Sequence, residues 1–162
     1  MILNLNKHNP QSLAAIDAQA NCLSYGELCS FAEKLDSIIP SRSLVFLMTE
    51  NNVGGIAWSI GCIAAKHVPL ILNAHTEEGL FNNLMEIYKP AYICVPTNSL
   101  LVDKYVVVAE AYSYSLLSTG NEACALHEEL SHLLPTSGST GSPKLVRHKY
   151  DNIEAAALNI ST

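Results

Sequence analysis

Residues 44–72 read LVFLMTENNVGGIAWSIGCIAAKHVPLIL, and the fold follows from how that stretch divides. Leu44 to Met48 is a short apolar run, the pattern of a strand buried on both faces. Asn51 and Asn52 are suited to cap a helix that runs to about Lys66. Val68 to Leu72 is a second buried strand. Working outward, Thr76 is placed to cap a further helix, with Glu77 and Glu78 at its positive end and Leu80, Leu84, Ile87 and Tyr88 on its buried face. Ala91 to Val95 is a third strand. Strand, helix, strand, helix, strand predicts an α/β fold, a mostly parallel sheet with flanking helices.

The flanks agree. Ser24 and Glu27 form a capping box, with Leu23 and Leu28 at the staple positions. Leu28, Phe31, Ala32, Leu35 and Ile39 then keep helical spacing as far as Pro40, so the first helix packs by one face. Tyr105 to Val108 and Tyr112 to Leu117 read as extended segments at the sheet's edge, with Tyr112 and Tyr114 as edge packing. Gly120-Asn121 is a turn signal. Leu133-Leu134 enters a polar loop, Lys144 to His148 leaves it as a strand, and Asp151 with Glu154 caps a last helix.

That loop is Thr136-Ser137-Gly138-Ser139-Thr140-Gly141-Ser142-Pro143-Lys144, or TSGSTGSPK. Two glycines let backbone N–H groups converge on an anion, five hydroxyls add donors, and the lysine adds a point charge. It is a recipe for holding a polyphosphate. It is not a Walker loop, because Pro143 and Leu145 stand where that pattern needs glycine and Ser or Thr, and the Gly-x-Gly-x-x-Gly of a dinucleotide fingerprint cannot be aligned on it. A plain Ser/Gly linker would not be flanked by apolar, strand-like segments on both sides.

TSGSTGSPK followed by Leu145-Val146 resembles the phosphate-binding signature of the adenylate-forming (AMP-binding) enzyme superfamily, which includes acyl- and aryl-CoA synthetases and peptide-synthetase adenylation domains. Upstream segments resemble the family in the same order. These are Leu23-Ser24-Tyr25-Gly26-Glu27-Leu28, Ile63 to Leu70 with Lys66 where glycine is usual, and Lys89-Pro90-Ala91-Tyr92-Ile93. The resemblance runs from about Leu23 to Ile153. Two departures follow the loop: Leu145 where glycine is usual, and Tyr150 where the family often has histidine.

The resemblance implies a single α/β unit over residues 1–162, the incomplete N-terminal part of the large domain of an acyl/aryl-CoA synthetase-like enzyme. It implies an AMP-forming acid–thiol ligase that activates a carboxylic acid with ATP. The acyl-adenylate would then pass to CoA or a carrier-protein thiol. Thr136, Ser137, Gly138, Ser139, Thr140, Gly141 and Lys144 would bind the ATP phosphates, with Mg2+ bridging phosphate oxygens. The implied site assigns no catalytic residue and no protein metal ligand within this chain. The family's adenine, magnesium and ribose segments and its C-terminal lysine fall beyond Thr162, so the 162 residues alone are expected to be an inactive fragment. Two other readings stay open. One is a non-catalytic nucleotide- or anion-binding module, or a subunit completed by a partner chain. The other is a plain α/β interaction domain.

Composition narrows the partners. A formal charge of −6, with no cluster of basic residues, argues against nucleic acid. Five scattered cysteines without a C-x-x-C pair read as reduced thiols in a cytoplasmic protein, and Cys62 as a packing residue. The longest apolar stretch, Ile56 to Leu72, is broken by Lys66 and His67 and falls short of the ~20 residues of a membrane span. His67 reads as a helix-end residue satisfied by local carbonyls. His127, Glu128 and His132 miss the zinc-protease spacing. His148 either faces the nucleotide or alternates outward.

Overall fold

The computed structural model describes residues 2–136 and 144–160. After a 3-10 segment, Ile2–Lys7, the elements are β1 (Leu13–Ile16), β2 (Cys22–Ser24), α1 (Tyr25–Ile38), β3 (Leu44–Thr49) and α2 (Val53–Ala64). There follow β4 (Val68–Asn73), α3 (Glu78–Tyr88), β5 (Tyr92–Pro96), β6 (Val106–Ala111), β7 (Tyr114–Ser118), β8 (Leu130–Pro135), β9 (Leu145–Lys149) and α4 (Tyr150–Ile160). β1 and β2 form a small hairpin. The remaining strands make one seven-stranded sheet in the order β6-β7-β5-β3-β4-β8-β9.

The four central strands, β5, β3, β4 and β8, run parallel. Both margins are antiparallel, through β7 and β6 on one side and β9 on the other. The sheet is therefore mixed: the expected parallel part is its centre. β6 is the edge strand, whereas β7 lies inside the sheet and carries a buried Tyr114. Tyr112 and Ser113 are not strand but the two-residue turn between β6 and β7, both at positive φ (51° and 62°). Trp58 Nε1 donates to Ala111 O at 3.0 Å, and the Phe31 ring meets Tyr112 edge-on at 5.1 Å. These contacts hold a turn that non-glycine residues adopt only at a cost.

Strand alternation divides the core. Val45 and Leu47 of β3 face α1 and α2, joining Leu28, Phe31, Leu35, Trp58 and Cys62. Leu44, Phe46 and Met48 face α3, joining Leu70, Phe81, Leu84, Ile93 and Leu133. With both faces covered, β3 has no polar side to show, hence its unbroken apolar run. Gly61 lets α1 and α2 approach closely, since a Cβ there would stand 2.8 Å from the Phe31 ring.

Helix ends follow the sequence in part. Ser24 and Glu27 make the full capping box, and Asn52 caps α2 by accepting from Gly55 N at 2.8 Å. Asp17 also accepts from Val53 N at 3.2 Å. Thr76 does not cap α3: its hydroxyl donates to Asn73 O at 2.6 Å, closing the preceding turn, and Glu77 stands at the N-cap without a side-chain bond. α4 begins at Tyr150, one residue before the expected Asp151 cap. α2 ends in a Schellman motif, with Lys66 N donating to Ile63 O (3.1 Å) and His67 N to Cys62 O (2.8 Å). The motif needs a left-handed residue, and Lys66 supplies it at φ +65°. That explains why glycine is the usual occupant.

His67 departs from expectation. Its amide is satisfied, but the side chain is buried and, among the described residues, neither ring nitrogen has a hydrogen-bond partner. Burial lowers its affinity for a proton. Asp36 and the nearby Leu35 carbonyl pull the other way, and Arg42 adds to the lowering. Among the described residues, no helix is long and apolar enough to cross a membrane.

Candidate phosphate-loop hairpin

The parallel strands β3, β4, β5 and β8 end at one edge of the sheet, at Thr49, Asn73, Pro96 and Pro135. Open α/β sheets bind ligands at that carboxyl edge. β8 leaves it at Pro135, and the chain re-enters as β9 opposite, with Pro135 paired to Leu145. The base of the loop is closed by Thr136, whose N–H and Oγ1 both donate to Lys144 O, at 2.9 and 3.0 Å. Thr136 and Lys144 are thus brought together, both exposed. Ser137, Gly138, Ser139, Thr140 and Gly141, with Ser142 and Pro143, lie outside the described residues.

Leu145 needs no glycine here. It begins β9 in register with Pro135 and packs against the α3-side core. Leu133 anchors β8 in that same core and pairs with Leu70 of β4. On the other face of the hairpin, His132 and His148 are cross-strand partners with rings stacked at 4.4 Å and 4° between planes. The buried Ser131 sends its hydroxyl proton to His148 O at 2.8 Å and lies 3.1 Å from His132 Nδ1. Burial, then His148, pushes the His132 imidazole down to about 4. His148 therefore contacts a histidine as it alternates along its strand.

The far end of the hairpin is fastened by Arg42, just before β3. Its guanidinium donates to the carbonyls of Glu128 (3.1 Å), His127 (3.0 Å) and Leu130. It also lies over the Tyr150 ring, 6.0 Å from its centre. Arg42 and Tyr150 line a cleft of about 420 Å3 at the sheet's amino edge, where Lys66 and Lys149 face Glu128, Glu129 and Asp151. Two features were missed in sequence. Arg42 acts on carbonyls far along the chain and belongs to no local pattern. Tyr114, read as packing, accepts Glu50 N at 3.0 Å and donates to Asn52 at 3.1 Å, fixing the turn beyond β3.

The cysteines offer no nucleophile in the core. Burial pushes the Cys62 thiol up to about 12 and moves Cys94 in the same direction. All five cysteines are free thiols. Among the described residues, no group of three or more His, Cys, Asp or Glu side chains could hold a metal ion.

Comparison with solved structures agrees with this architecture. MatB from Rhodopseudomonas palustris superposes with a TM-score of 0.71 at 20% identity, over 98% of this chain and 37% of that one. VinN in complex with L-aspartate gives 0.70 at 21% identity, over 97% and 49%. An E. coli MenE variant with bound OSB-AMS gives 0.65 at 19% identity, over 94% and 34%. The chain has the fold of the N-terminal part of adenylate-forming enzymes. It spans about a third to a half of the length of these adenylate-forming structures. No protein-family model matches it, and no curated protein sequence does.

Proposed function

We propose that this chain carries the phosphate-loop portion of an AMP-forming acid ligase. The observation that supports this best is the loop's setting. Thr136 and Lys144, the described ends of TSGSTGSPK, are bonded to each other where β8 gives way to β9, at the carboxyl edge of the parallel strands, in a fold of adenylate-forming type. In the proposed reaction a carboxylate attacks the α-phosphorus of ATP, giving an acyl-adenylate and pyrophosphate. Two anions must meet, so the protein neutralises charge and aligns the reactants.

Ser137, Ser139 and Thr140 would donate to the β- and γ-phosphates, with Gly138 and Gly141 permitting the backbone turn. Thr136, also among the proposed phosphate binders, has its N–H and hydroxyl donating to Lys144 O and so would tie the two ends of the loop together. Lys144 would be the counter-charge for the leaving pyrophosphate. Mg2+, a hard cation served by oxygen ligands, would enter with ATP and neutralise phosphate charge when bound. The acyl group would pass to a thiol, of CoA or of a carrier protein. The 162 residues by themselves would bind phosphate-rich anions weakly and adenylate nothing.

The test is carboxylate-dependent exchange of labelled pyrophosphate into ATP by the longest natural polypeptide containing these residues. Exchange should require an added acid. It should fall about ten- to a hundredfold in Lys144→Ala, the loss expected for one charged hydrogen bond. Absence of exchange with every acid, from a folded protein of full length, would favour the non-catalytic binding module.

A further inference from the structure

We propose that the turn between β4 and α3 walls the polyphosphate site on the side away from Lys144, with His75 donating to the phosphates. The inference rests on the phosphate-binding reading above and adds a contact to it. Strand order sets the geometry. β8 lies between β4 and β9, so a ligand at its carboxyl end is flanked by the turn after β4 on one side and by Lys144 on the other. Leu70 pairs with Leu133 in parallel, and counting three residues along both strands puts Asn73 level with Thr136. Asn73 is also paired with Thr49. Thr49, Asn73 and Thr136 thus form one polar row across the carboxyl ends of β3, β4 and β8.

The chain leaves β4 through a turn of fixed shape. Ala74 N donates to Thr49 O at 2.9 Å, which ties the turn to β3. His75 N donates to Asn73 Oδ1 at 2.8 Å. Thr76 gives both its N–H and its hydroxyl to Asn73 O, at 2.9 and 2.6 Å. The Asn73 side-chain oxygen and the Thr76 hydroxyl are therefore committed to the turn itself. The His75 imidazole is not: it is exposed and, among the described residues, has no hydrogen-bond partner.

Spacing and chemistry suit the pairing of His75 with Lys144. Neighbouring strands stand about 4.8 Å apart, so β4 and β9, two steps apart, are separated by about 10 Å at the backbone. A histidine and a lysine reaching inward across that gap can bracket a chain of two or three phosphates. Lys144 supplies a point charge, and an imidazole offers an N–H donor whether or not it is charged. Glu77 and Glu78, next in the chain, repel an anion, so His75 is the residue of this segment suited to one. It would share with Lys144 the charge that develops on the leaving pyrophosphate.

Calorimetric titration of inorganic pyrophosphate with Mg2+ into the longest natural polypeptide containing these residues tests it, with carboxylate-dependent pyrophosphate exchange alongside. The expected result is binding that weakens about tenfold in His75→Ala as well as in Lys144→Ala, with a matching rise in the KM for ATP in exchange. Wild-type affinity in His75→Ala, with the loss confined to Lys144→Ala, would overturn the His75 contact and leave the ligase reading standing. No pyrophosphate binding by the folded wild type overturns the site, and absence of exchange as well overturns the ligase reading. Should His75→Ala fail to fold, the His75 ring signals of the wild type decide. A shift on adding pyrophosphate supports the contact, and no shift defeats it.

Discussion

The β3–α2–β4 centre and the β8–β9 hairpin belong to one sheet but are held in different ways. β3 is buried on both faces, and every residue from Leu44 to Met48 lies in one half of the core or the other. The hairpin commits Leu133 to the core and leaves Val146, Arg147 and Lys149 exposed. It is fastened by a few polar links instead: Arg42 at one end, Ser131 midway, and Thr136 on Lys144 at the loop. Packing fixes the centre, and directional bonds fix the part that carries the candidate chemistry. A loop proposed to bind anions must keep its polar groups available, which suits a support made largely of directional bonds.

Four substitutions or conditions test that contrast. Trp58→Ala removes a fully buried ring packed edge-on against Phe31 at 4.9 Å, so stability should drop by about 3–5 kcal/mol in urea unfolding. Arg42→Ala leaves three carbonyls without their charged donor. It should cost about 1.5–3 kcal/mol, with amide exchange rising first in β8 and β9. An equal rise in β3 would show that hairpin and centre open together.

Acid should act in the same sense on both regions. His132 and His67 take up a proton less readily folded than unfolded, so their contribution to stability is complete above pH 6.5. It is lost as pH falls, for His132 between 6.5 and about 4. The melting temperature should decline across that window, and His132→Gln should flatten part of the decline. The smallest effect is a gain. Lys66→Gly relieves a left-handed conformation that costs a non-glycine residue about 1–2 kcal/mol, part of it offset by glycine's extra chain entropy. The net rise should be about 0.5–1 kcal/mol in the same unfolding experiment.

The centre was readable because its causes are local. Ser24 and Glu27 sit within one helical turn of each other, Asn52 lies three residues from the amide that it accepts, and β3 announces itself as an apolar run. Where a side chain had two local uses, the sequence reading chose wrongly. Thr76 could close a turn or cap a helix, and the turn won. Tyr114 was placed at an edge because nothing local reveals that β6 lies outside β7. Of the candidate site, the flanking strands were anticipated, because Leu133-Leu134 and Leu145-Val146 are local apolar signals. Its supports were not, because Arg42 meets Glu128, and His132 meets His148, only after the chain has folded.

The parallel pairing of Leu70 with Leu133 carries a consequence for the order of events during folding. β3, α2 and β4 follow one another closely and can assemble while the chain is short. β8 lies beyond α3, β5, β6 and β7 in the chain, so its pairing with the free edge of β4 closes a much longer loop. Closing so long a span is entropically slow. The segment bearing the candidate loop is thus expected to dock late, and its arrival would be the step that completes the carboxyl edge of the sheet.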